Sequence, residues 1–139
     1  HGENGRGLFS RWYPQTLSRR IIEIGQIRER ICFIQGDGMS ILQQYANQKE
    51  TVFFLDPPYT ADGKRAGSRL YRHSRLDHNK LFELAEGLAG DFLMTYDDNT
   101  MVQQLAKQHG LMHRSIPMKN THHSLMQELL IGRDLIWLG

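Results

Sequence analysis

Val52-Phe53-Phe54-Leu55 runs without a break into Asp56-Pro57-Pro58-Tyr59. An apolar run this continuous reads as a strand covered on both faces, hence a central strand of a parallel sheet. Pro57 biases Asp56 away from the helical region, toward the extended geometry of a strand's last residue. The prolines fix their own φ and remove amide donors, while their carbonyls remain as acceptors. The product is a stiff, acceptor-rich corner beside the flat ring of Tyr59. Such a corner suits a planar base that bears an amino group. A Pro-Pro turn leaving a buried strand is the plainer alternative.

Outward from this corner the chain alternates between β and α patterns. Upstream, residues 1–14 look irregular, 15–29 place Leu17, Ile21, Ile24 and Ile27 at helical spacing, and 31–35 form a short β-prone run closed by Gly36-Asp37-Gly38. Residues 39–47 carry Met39, Leu42 and Tyr45 on one helical face. Downstream, 60–74 break the pattern with Gly63, Gly67 and Ser68, and 76–88 return to helix behind Asp77. A strand over 92–96 ends in Asp97-Asp98-Asn99, and a helix over 101–109 stops at Gly110. A strand over 111–116, a turn over 117–124 and antiparallel material over 125–131 and 135–138 complete the chain. Strands alternating with short helices predict an α/β fold with a mainly parallel sheet and right-handed crossovers.

Composition bounds the rest. With 139 residues, 40% of them hydrophobic, the chain is expected to form one domain, 1–139, with enough apolar material for a core. A net charge of +2 selects no partner. The single cysteine, Cys32, excludes an internal disulfide and suits the cytoplasm. No apolar run approaches membrane-spanning length, and no signal-peptide pattern is visible. Cys32 lies within the expected strand over 31–35, and no Cys-x-x-Cys or His-x-x-x-His spacing occurs, so no metal is expected.

In parallel sheets ligands sit beyond the carboxyl ends of the strands. Three expected strands end in polar groups: Gly36-Asp37, Asp56-Pro57-Pro58-Tyr59 and Tyr96-Asp97-Asp98-Asn99. Each alone is also ordinary turn chemistry; together they describe a site.

Asp56-Pro57-Pro58-Tyr59 is the signature of amino-methyltransferases, and the whole chain resembles the Dam-like class of adenine-specific DNA methyltransferases. The segment from Arg30 through Gly38, the pair Asp77-His78, the strand through Phe92-Leu93-Met94-Thr95-Tyr96 and the stretch from Ile116 through His123 resemble other blocks of that family. The resemblance implies a Rossmann-like methyltransferase fold, present in part, with an antiparallel C-terminal strand. It also implies S-adenosylmethionine as cofactor, held by Gly36, Asp37 and Asp56, and double-stranded DNA with the target base flipped out. Asp56 and the Pro57 carbonyl would accept the hydrogens of the adenine amine, favouring a pyramidal nitrogen whose lone pair faces the methyl donor. Pro58 stiffens the corner, and Tyr59 would stack on the base.

One departure matters. Family members carry, ahead of this region, a Phe-x-Gly-x-Gly segment and an acidic residue after the next strand, which bind the cofactor's methionine part and ribose. Neither occurs here; Gly2, Gly5 and Gly7 follow no apolar strand. The chain therefore resembles the carboxyl-terminal part of such an enzyme and is expected to be inactive, or nearly so, by itself. Without the intervening strands, 31–35 and Val52–Leu55 are expected either to pair directly or to leave an edge that drives self-association.

Lys64, Arg65, Arg69 and Arg72 follow the corner directly, with Tyr71 interleaved, and Lys119 precedes His122 and His123. A solvated loop is the ordinary reading of such a run; its position makes contact with DNA phosphates the functional one. Because the corner recognises an amine rather than one base, a cytosine-amine or RNA methyltransferase remains an alternative. So does a non-catalytic remnant that binds nucleic acid.

Overall fold

A computed structural model describes residues 12–58, 76–119 and 125–138. The chain divides into two compact units, 1–36 and 37–139. No helix among the described residues is long and apolar enough to cross a membrane.

The first unit contains helix α1, Pro14–Gln26. Pro14 opens it, where the missing N–H would have no intrahelical partner anyway. The helix gives way at Ile27 to a 3-10 turn, Arg28–Arg30, so regular helix ends earlier than the spacing of the isoleucines suggests. No residue of α1 is buried; Ile21, Ile22 and Ile24 are each more than half exposed. Residues 31–35, expected as a strand, form none, and Phe33 is 85% exposed. Strand propensity measures how well side chains pack on a paired, pleated surface, so a β-prone run without a neighbour does not make a strand.

The second unit is an α/β layer. Its helices are α2 (Gly38–Tyr45), α3 (His78–Glu86) and α4 (Thr100–Gln108); its strands are β1 (Val52–Leu55), β2 (Asp91–Asp97), β3 (Met112–Lys119) and β4 (Leu125–Gly132). Short polar residues set the helix starts. Asp37 accepts from the Met39 and Ser40 amides, Asp77 from Lys80, and Asn99 from Val102, each satisfying amides that the helix leaves unpaired. Gly110, at φ +63, ends α4: its N–H bonds to the Lys107 carbonyl, and that of Leu111 to Ala106. This is the paired-bond termination that a left-handed glycine permits.

The strand order is β1-β2-β4-β3. β1 and β2 are parallel, and β4 is antiparallel to both β2 and β3. The sheet is therefore mixed, which corrects the expected mainly parallel sheet; the C-terminal strand is antiparallel as expected. Two expectations near the end of the chain also change. β3 continues through Pro117 to Lys119, where a turn was expected, and residues 136–138 form a 3-10 turn rather than a strand.

Cross-strand register puts Phe53, Leu55, Phe92, Met94, Tyr96, Leu129 and Ile131 on one face. They meet Leu42, Leu81, Phe82, Ala85, Val102, Leu105 and Ala106 of the helices in a single core. The opposite face presents Val52 and Phe54, 77% and 67% exposed. Among the described residues β1 is an edge strand, paired with β2 alone.

Candidate functional site

The carboxyl end of β1 and the amino end of α2 border one cleft of about 270 Å³. Met39, Leu42, Phe54 and Leu81 supply apolar wall, and Asp37, Asp56, Pro57 and Pro58 supply polar atoms and rigid backbone. Small-molecule pockets usually span roughly 300–1,000 Å³. This cleft therefore suits one flat ring system, and not a nucleoside cofactor and a base together.

Asp56 is held from the neighbouring strand. Parallel register sets Leu55 beside Met94, so the next positions, Asp56 and Thr95, are adjacent. The Thr95 hydroxyl donates to Oδ1 of Asp56 at 2.9 Å. Thr95 is 7% exposed. Sequence reading did not single it out, although a threonine inside an otherwise apolar strand end was the available signal.

Asp37 lies on the same cleft, but its carboxylate already caps α2. Oδ2 accepts from the Ser40 hydroxyl at 2.8 Å, and this bond, with the amide bonds of Ser40 and Met39, holds the carboxyl below its ordinary range. It is thus an anionic, oriented group at the rim. Gly36 precedes it as the last residue of the first unit.

Asp97, Asp98 and Asn99 do not line this cleft. They are occupied locally: Asn99 donates to Asp97 and caps α4, and Asp98 accepts from Gln103 at 2.6 Å. Bonds from Ser115 and Gln103 hold the Asp98 carboxyl below its ordinary range. Of the three polar strand ends read from the sequence, two converge on the cleft and the third builds a helix start.

His78 and Tyr96 form a buried pair, with Nδ1 of the imidazole 2.9 Å from the phenolic oxygen. Burial pushes the Tyr96 phenol well above its ordinary value, and the Asp97 charge adds to the effect. Burial lowers the His78 value, against the opposing pull of Asp77 and Asp97.

Tyr59, Lys64, Arg65, Arg69 and Arg72 lie outside the described residues, as does the side chain of Lys119, whose backbone pairs with Leu125. Cys32 is exposed, and no group of three or more His, Cys, Asp or Glu among the described residues could hold a metal ion. No protein-family model matches the chain, and no curated protein matches it.

Proposed function

We propose that this chain carries the amine-gripping part of a Dam-like methyltransferase, which transfers a methyl group from S-adenosylmethionine to the exocyclic amine of adenine in DNA. The observation that carries the reading is Asp56, rigidly followed by Pro57 and Pro58, opening from a parallel strand end into a cleft sized for one flat ring system. The antiparallel setting of β4 beside β2 adds support, because a Rossmann-like methyltransferase fold with an antiparallel C-terminal strand is what the sequence resemblance implies.

An adenine amine is a weak nucleophile because its lone pair is delocalised into the ring. The Asp56 carboxylate and the Pro57 carbonyl accept its two hydrogens, which draws the nitrogen toward a tetrahedral shape and frees the lone pair for in-line attack. Apolar Leu42 and Leu81 exclude water beside the ring. S-adenosylmethionine, when bound, supplies an electrophilic sulfonium methyl. With Asp56 engaged by the target amine, the cleft residue that would face its cationic parts is Asp37, the other carboxylate at the rim. No Phe-x-Gly-x-Gly segment, the family's site for the methionine part and ribose, occurs in these 139 residues.

The test uses the full-length product of the gene, methyl-labelled S-adenosylmethionine, and DNA and RNA substrates. N6-methyladenine in duplex DNA, lost in Asp56→Ala, is the expected result. Label in N4-methylcytosine or in RNA would transfer the same chemistry to another base. Nucleic-acid binding without label in any substrate would leave a non-catalytic binding module.

A further inference from the structure

The buried polar side chains among the described residues are His78 and Thr95. His78 is matched by Tyr96 inside the core, whereas Thr95 reaches out of its strand to Asp56. We propose that Thr95 is a positioning residue for methyl transfer, its hydroxyl fixing the rotation of the Asp56 carboxylate that receives the amine. The inference rests on the methyl-transfer reading above.

A carboxylate turns about a broad, nearly two-fold torsion, so its backbone does not fix the direction of its lone pairs. Asp56 is at an exposed corner. Thr95 is the opposite case. It is β-branched, hence stiff at its first torsion. It also lies on a strand paired on both sides, to β1 and to β4, where its own partner is Leu130. The sheet therefore holds the Thr95 oxygen in place, and a charge-assisted bond to that oxygen holds Oδ1 of Asp56. One lone pair of Oδ1 is thereby committed, and an incoming amine meets the carboxylate from a set direction.

Core packing gives no reason for a hydroxyl at this position. Valine has the same shape and would bury no polar atom. A threonine whose hydroxyl meets a carboxylate at the mouth of a cleft is explained by the orientation it imposes on that carboxylate.

The test compares Thr95→Val and Thr95→Ser in the full-length gene product. Thr95→Val is expected to lower kcat on the order of 10²-fold, the usual consequence of a small displacement of a reacting group. KM for DNA should stay constant, and Tm should hold or rise. Thr95→Ser should recover most of the rate. The carboxyl carbon of Asp56, observed by NMR in H2O and in D2O, should show an isotope shift from the Thr95 hydroxyl in wild type and Thr95→Ser, and none in Thr95→Val. Unchanged kcat in Thr95→Val, or an isotope shift that survives it, overturns the positioning role while the active wild type preserves the methyl-transfer reading. A wild type that methylates no amine-bearing base removes that reading, and the positioning role with it.

Discussion

His78, in the first turn of α3, and Tyr96, near the carboxyl end of β2, are joined by a 2.9 Å contact between imidazole Nδ1 and phenolic oxygen. Their rings meet edge to face at 5.8 Å, and Phe82 packs on Tyr96 from the same helix. The pair ties helix to sheet, and burial of the imidazole couples it to pH. Burial depresses the folded-state value of His78, so the unfolded chain takes up a proton at higher pH than the folded one. The stability that His78 contributes is complete above 6.5, the ordinary histidine value, and is lost as pH falls below it toward the depressed folded value. Denaturant unfolding followed from neutral pH downward should show a falling midpoint, and His78→Gln should flatten that fall. Tyr96→Phe should cost about 1–3 kcal/mol, as the loss of a buried partner does. A wild-type midpoint that does not move below 6.5 would sink this assignment.

Asp56→Asn keeps an oxygen for Thr95 to bond and removes the charge that, in the proposed mechanism, favours the pyramidal amine. We expect the fold to persist and methyl transfer by the full-length gene product to fall by at least the 10²–10³-fold typical of losing one electrostatic group, that is, about 3–4 kcal/mol. Tyr59→Ala should weaken both base capture and rate, while Tyr59→Phe or Trp should be partly tolerated because a stacking face remains. Near-normal turnover by Asp56→Asn and Asp56→Ala would disprove the proposed mechanism.

Neutralising Arg65, Arg69 and Arg72 together should weaken binding to every duplex by a similar factor. The slope of log affinity against log salt should flatten by about 2–3, since each phosphate contact contributes roughly 0.9. Loss confined to one DNA sequence would mean that these residues read bases.

Gly90 lies where the chain enters β2, between the Ala89 N–H to Ala46 carbonyl bond and the Asp91 N–H to Thr51 carbonyl bond. A Cβ here would come within 2.8 Å of the Gln48 carbonyl and closer still to that of Thr51. Both obstacles are backbone and cannot swing aside. Gly90→Ala is therefore expected to destabilise by about 1–3 kcal/mol, the usual cost of overpacking. Arg133 locks the same turn, donating to the carbonyls of Gly90, Glu86 and Leu88 with its guanidinium over the Phe92 ring. Equilibrium unfolding of Gly90→Ala and Arg133→Met should show both losses; a wild-type midpoint in Gly90→Ala would refute the close approach.

β1 is apolar, lacks charge and, among the described residues, pairs on one side only. Edges of this kind recruit further strands unless charge or proline blunts them. The isolated chain is expected to self-associate with rising concentration, and Phe54→Lys should reduce the effect. Sedimentation showing a monomer at every concentration would argue against an exposed, pairing-competent edge.

The local punctuation of this fold was legible in the residues themselves. Asp37, Asp77 and Asn99 start helices because a short acceptor reaches the amides that the helix leaves unpaired. Gly110 stops one because only glycine enters the left-handed region without cost. Val52–Leu55 with Asp56-Pro57-Pro58 announced a strand ending in a rigid polar corner. Tertiary structure decided whatever depended on a neighbour. Residues 31–35 have the composition of a strand but form none, because a strand exists only through pairing. Pro117 reads as a turn yet sits within β3, tolerated because that strand, among the described residues, occupies the sheet edge, where an amide can be spared. Thr95 gains its meaning from the β1–β2 register, which sets it beside a carboxylate 39 positions earlier in the chain. Local sequence encodes which groups lack hydrogen-bond partners; only the folded chain determines which distant residues supply them.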